Sequence, residues 1–351
     1  VEKLPPSNLV FLLDVSGSMN AQNKLPLLKK SFNILLDKLR PQDRVAIVVY
    51  AGAAGLVLES TPGDEKETIK KAMNKLNAGG STAGGEGIEL AYNVAMENFI
   101  EDGNNRIILA TDGDFNIGMS SDAAMVRLIE EKRESGVFLT ILGFGTGNYQ
   151  EAKMEKLSNK GNGNFAYIDN ILEAKKVLGK EIWGTLYTIA KDVKIQVEFN
   201  PANIKGYRLI GYVNRMLEDE DFNDDKKDAG EVGSGHTVTA LYEIIPPGEA
   251  TSVGDVDSLK YQQSQVVESD ELLTFKLRYK KPDQDESILM KQALTKDKAQ
   301  KKSPSENFRL ASAVGEFGLL LRDSEYAGNA SYQHLLKQID ALKQKDDYIR
   351  E

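Results

Sequence analysis

The chain has 351 residues, 41% hydrophobic and 28% charged, enough apolar material for two folded domains and free of disordered or collagen-like bias. Its 44 basic and 53 acidic residues leave a formal net charge of −9, which argues against nucleic acid as a partner. Cysteine is absent, which removes disulfides, thiolate zinc sites and cysteine nucleophiles together.

The chain opens at Val1 without an initiator methionine or a charged-then-apolar leader, and so reads as a processed or truncated product. Over residues 8–183 short apolar runs alternate with amphipathic stretches. Strands are predicted at 8–14 (NLVFLLD), 44–50 (RVAIVVY), 56–59 (LVLE), 106–111 (RIILAT), 137–144 (VFLTILGF) and 164–168 (NFAYI). Helices are predicted near 20–40, 64–77, 86–101, 121–135, 150–159 and 170–189. Their alternation points to an α/β domain over residues 1–189, a doubly wound, mostly parallel six-stranded sheet covered on both faces.

Near residue 190 the period changes. Val193, Ile195, Val197 and Phe199 alternate with Lys194, Gln196, Glu198 and Asn200, which predicts a strand with one wet face. Further strands are expected at 207–213, 236–245 and 272–280, making residues 190–351 a second, antiparallel β domain that ends in helices. In those helices Leu310, Val314, Phe317 and Leu321 share a face, as do Tyr332, Leu335, Leu336, Ile339 and Leu342; both stripes are expected to be core. The polar segments 217–235 and 281–305 read as loops, and Trp183 is expected to pack where the domains meet. No run approaches the ~18 consecutive apolar residues of a membrane span.

One constellation carries chemistry. In an extended segment side chains two apart share a side, so Asp14, Ser16 and Ser18 in DVSGSM project toward one point beyond the first strand. GGSTAGG (79–85) brings Ser81 and Thr82, and TDGDF (111–115) brings Asp112 and Asp114 after the fourth strand. If the first and fourth strands are neighbours at a switch point, these loops converge. The donors are all hard oxygens, so the ion they suit is magnesium, manganese or calcium rather than zinc or copper.

DVSGSM resembles the Asp-x-Ser-x-Ser signature of the metal-ion-dependent adhesion site in von Willebrand factor type A domains, and the likeness extends over about residues 8–185. The resemblance implies that Asp14, Ser16 and Ser18, with Thr82 on the second loop and Asp112 on the third, hold a divalent cation, magnesium first and manganese or calcium as alternatives. FNPANIKGYRLIGY (199–212) and AVGEFGLLLRDSEY (313–326) resemble the C-terminal region of exported bacterial proteins with such a domain, a region of unknown function. Such proteins commonly carry a lipoprotein leader, so the resemblance implies the bacterial cell envelope, periplasmic or anchored to the outer membrane. Two aspartates leave little surplus negative charge at a divalent ion, and hydroxyls donate weakly, so one position stays open for an outside oxygen. A Glu or Asp side chain of a partner protein fits that vacancy.

Other motifs carry less. Gly143, Gly145 and Gly147 miss the dinucleotide spacing and follow the fifth strand, GGSTAGG lacks the P-loop lysine, and EDEDFNDDKKD (218–228) lacks the EF-hand pattern and reads as a solvated loop. His236 and His334 belong to no visible triad. The expected function is a metal-dependent, adhesion-type protein-binding module and not an enzyme. A metal-assisted phosphoryl-transfer enzyme is the first alternative, although Ser16 stands where a second acid is wanted and no base serves the serines. A scaffold whose metal takes an internal acid from the 217–235 loop is the other.

Overall fold

The computed structural model describes residues 4–51, 53–79, 84–113, 122–146, 150–182, 184, 187–212, 216–249, 266–282, 284–300 and 303–343. Two compact units result: Val1–Lys191 with Gly230–His236, and Asp192–Ala229 with Thr237–Glu351.

In the first unit six strands form one sheet: β1 (Ser7–Asp14), β2 (Arg44–Ala51), β3 (Ala53–Pro62), β4 (Asn104–Thr111), β5 (Val137–Phe144) and β6 (Phe165–Ile168). Their order is β3-β2-β1-β4-β5-β6, parallel throughout except for β3, which runs antiparallel to β2. The mostly parallel doubly wound sheet read from the sequence is therefore present.

Every residue of β1 is buried, because helices cover both faces of the sheet. Leu9, Phe11 and Leu13 join a core with Leu28, Phe32 and Leu35 of α1 (Leu25–Leu36), and the Phe11 and Phe32 rings meet edge to face at 4.8 Å. Val10 and Leu12 point the other way, into a core with Ile88, Ala91 and Tyr92 of α3 (Gly84–Glu97). The first core is completed by Ile69 and Met73 of α2 (Lys66–Lys75), the second by Ile129 of α4 (Asp122–Arg133) and Leu157 of α5 (Glu151–Lys160). The helix predicted from residue 20 starts later, at Leu25, where Pro26 occupies the first turn and has no N–H to leave unpaired.

Beyond residue 187 the strands are β7 (Thr188–Phe199), β8 (Gly206–Ile210), β9 (Gly230–Gly233), β10 (Leu241–Ile245), β11 (Glu271–Lys280) and β12 (Ile288–Thr295). They form a pair, β10-β8, and a sheet of order β12-β11-β7-β9. A short helix, Lys296–Gln300, follows, and then two longer ones, Glu306–Leu321 and Tyr332–Asp340, each capped by a serine hydroxyl, Ser305 on the Phe308 N–H and Ser331 on the His334 N–H.

Four expectations need correction here. The segment 281–305 is not a loop throughout, since β12 pairs antiparallel with β11, and 217–235 contains β9. The expected wet face of β7 is reversed at one step, with Lys194 2% exposed and Ile195 40%. The acidic run is not simply solvated: Lys194 Nζ donates to the carbonyls of Asp221, at 3.0 Å, and Asp224, and Ser287 donates to Asp225. The helical stripes are core only in part: Val314, Phe317, Leu321, Tyr332 and Leu336 are exposed, Leu310, Leu335 and Ile339 are half-buried, and Leu342 alone of the two stripes is buried. Trp183 lies outside the described residues.

Candidate metal centre

β1 has β2 on one side and β4 on the other, so the chain leaves the carboxyl ends of β1 and β4 in opposite directions and opens a crevice there. The parallel register sets Leu13 beside Ala110, which brings the next residues, Asp14 and Thr111, to the same level at that edge. Asp14 is fully buried. Its Oδ1 accepts the Ser16 N–H at 2.9 Å and its Oδ2 accepts the Thr111 hydroxyl at 3.2 Å.

After Asp14 the chain tightens into a single 3₁₀ turn, Gly17–Asn20, with Ser16 at its cap. The Met19 N–H returns to the Ser16 carbonyl at 3.0 Å, and the buried Met19 side chain anchors the turn in the core below. This leaves Ser16 buried and Ser18 exposed, with their hydroxyl oxygens 3.0 Å apart. The loop is also tied sideways: Val15 donates to the Tyr50 carbonyl at 3.2 Å, and Gly79 donates to the Val15 carbonyl at 2.8 Å.

Asp112 follows Thr111 directly and is buried; its Oδ2 accepts Lys24 Nζ at 2.8 Å. The Gly113 N–H bonds the Thr111 hydroxyl at 3.2 Å, with φ of 93° that suits glycine at this tight turn. Burial pushes the Asp14 carboxyl above its ordinary value; the Ser16 hydrogen bonds oppose the shift, and the negative charge of Asp112 adds to it. The Tyr50 phenol is buried beside them and is held well above its ordinary value by desolvation first and by Asp14 second.

The structure thus brings together Asp14, Ser16, Ser18 and Asp112. Thr82, Ser81 and Asp114 lie outside the described residues. Three side chains at the site were not read from the sequence: Lys24, Tyr50 and Thr111. Thr111 had a signal, since it stands in TDGD itself, but Lys24 is ten residues from Asp14 and reaches the site only through the turn between them. Among the described residues no three His, Asp or Glu side chains gather on one point, so the described anionic charge here is that of two carboxylates. His334 pairs instead with Glu316 at 2.9 Å between the two terminal helices.

Residues 8–179 match the family described as von Willebrand factor type A domain, and residues 184–351 match that described as Uncharacterized protein YfbK, C-terminal. The chain is 44% identical over 349 residues to Uncharacterized protein YfbK of Escherichia coli (strain K12), covering 98% of this chain and 60% of that protein. It is 31% identical over 169 residues to Uncharacterized protein sll0103 of Synechocystis sp., covering 48% of this chain and 39% of that one. The chain therefore spans 60% or less of the length of these curated relatives. The solved structure described as von Willebrand factor type A from Catenulispora acidiphila aligns at a TM-score of 0.49 and 15% identity, over 88% of this chain and 72% of that chain.

Proposed function

The protein carries a von Willebrand factor type A domain over residues 8–179, and from that premise we propose that it is a protein-binding module whose contact runs through a divalent cation. The observation that carries this reading is the gathering of Asp14, Ser16, Ser18 and Asp112 at the switch point of the sheet, from loops far apart in the chain. Thr82 is the fifth donor of the set.

The residues present fit such an ion. The Asp14 carboxylate, which burial first and the charge of Asp112 in addition push toward protonation, would gain from a cation held beside it. The Ser16 and Ser18 hydroxyls, hydrogen-bonded to each other at 3.0 Å, stand close enough to serve one ion. When bound, the ion supplies a Lewis-acidic position for one more oxygen. Ser18, exposed at the rim, marks the side from which a carboxylate of a partner protein arrives. A place in the bacterial cell envelope is part of the proposal and rests on the resemblance to exported bacterial proteins. No described helix is long and apolar enough to cross a membrane.

Calorimetric titration of the full chain with magnesium or manganese tests the reading. Uptake of one ion per chain is expected, and Asp14→Ala is expected to melt as a folded protein without taking it up. A wild-type chain that binds neither ion would falsify the proposal.

A further inference from the structure

Lys24 sets its ammonium against one of the candidate ligands, Asp112, and several features of the fold hold it there. It sits at the N-cap of α1, where Ser, Thr, Asp or Asn are preferred and where a positive charge opposes the helix dipole. Its side chain makes no capping hydrogen bond. Its backbone is fixed from both sides, donating to the Ala21 carbonyl at 3.0 Å and accepting the Leu28 N–H at 2.8 Å. Its aliphatic stem runs over Gly145: a Cβ placed on that glycine would stand 2.6 Å from Lys24 Cγ and 3.0 Å from Cδ, and nearer still to Cε. Any side chain at residue 145 would force the stem to shift, and the φ of +79° there favours glycine. The ammonium then ends 2.8 Å from Asp112 Oδ2, with 15% of the lysine side chain and 3% of the aspartate exposed. A residue that breaks the local rule for a helix start, and lies in a groove shaped for it, answers to the site it reaches.

We propose that Lys24 is a built-in counter-cation of the metal centre, which occupies Asp112 before a divalent ion arrives and sets the charge of the loaded site. This inference rests on the metal reading above. Asp14 and Asp112 contribute two negative charges and Lys24 one positive, so a divalent ion brings the site to +1 instead of 0. The lysine therefore weakens retention of the ion, with which it competes for Asp112, and strengthens the pull of the loaded site on an anionic ligand. In this protein metal affinity is traded for electrophilicity by a side chain that is not itself a ligand.

The probe is manganese alone, titrated calorimetrically into the full-length wild-type chain and into Lys24→Met, which keeps the stem over Gly145 and removes the charge. Even with water-like screening, one unit charge about 5 Å from a divalent ion weakens its binding by roughly tenfold, so Lys24→Met is expected to bind manganese at least about tenfold more tightly. Lys24→Arg, which keeps the charge, is expected to stay within about threefold of the wild type. Lys24→Gln serves as a second neutral variant should Lys24→Met melt early. Manganese bound equally by the wild type and both neutral variants overturns the role of Lys24 and leaves the metal reading standing. Manganese bound by none of them removes the metal reading and this inference with it. Binding by the neutral variants but not by the wild type overturns both readings for the native protein, since Lys24 then closes the site instead of tuning a loaded one.

Discussion

Asp14 makes contradictory demands on the fold: its carboxylate is wanted at the crevice and yet has no solvent around it. Because burial raises its folded pKa above the ordinary 3.8, the unfolded chain gives up this proton at lower pH than the folded one. Through the interval between the two values the folded state holds more protons, so the ion-free protein loses stability as pH rises across it, and the loss persists at neutral pH. Asp14→Asn removes both the charge and the penalty. In chelator, melting temperatures followed from pH 4 to pH 7 are expected to fall further for the wild type than for Asp14→Asn. With manganese at pH 7 the order is expected to reverse, because only the wild type gains from the ion. Parallel curves for the two proteins in chelator would show that burial of this carboxylate costs the fold nothing.

At the scale of elements, the same packing that buries Asp14 decided which parts of the chain were legible. β1, β4 and β5 lie between two helix layers and carry apolar runs, LVFLL at 9–13, IILA at 107–110 and VFLTILGF at 137–144, by which the sequence shows them. The four described candidate donors could be read because each stands within a few residues of such a strand end. β12 gave no such signal: ILMKQALT neither alternates nor stays apolar, and its pairing with β11 is made by backbone groups, which sequence patterns do not register. Lys194 misled for the opposite reason. Its alternation placed it on a wet face, whereas the carbonyls of the acidic loop provide a buried cradle for its ammonium. Close approach between layers has its own sequence mark in Gly87 on α3, where a Cβ would stand 2.9 Å from Tyr50 Cβ and 3.3 Å from Leu12 Cδ1. Gly87→Ala therefore pushes α3 away from β1 and β2, and a destabilisation of about 1–3 kcal/mol is expected from chemical denaturation. A variant as stable as the wild type would mean that the helix yields at no cost.

The whole molecule divides at Lys191, where its sequence pattern changes, but not there alone. A single boundary near residue 190 separates the α/β pattern from the antiparallel one, yet the first compact unit also includes Gly230–His236, with Ser234 donating to the Tyr187 carbonyl at 2.8 Å. The returning segment carries Glu231, whose charge acts on Arg106, fully buried on β4. Its guanidinium donates to the Thr140 hydroxyl at 2.7 Å and more distantly to that of Thr188 at 3.4 Å. Burial still lowers its pKa to about 10, and the charge of Glu231, on the returning segment, is what opposes that shift. A charge placed in the core by one part of the chain is thus balanced by an acid that arrives more than a hundred residues later, a pairing that neither local composition nor periodicity reveals. Removing one partner of such a pair leaves the other charge buried, whereas removing both restores balance. Glu231→Gln is therefore expected to cost about 1–3 kcal/mol in urea unfolding. Arg106→Met combined with Glu231→Gln is expected to recover most of that loss, giving a coupling energy well above the error of a double-mutant cycle. Equal and additive losses in the two single variants would show that Glu231 does not act on Arg106, and that residues 230–236 are kept in the first unit by their backbone bonds alone.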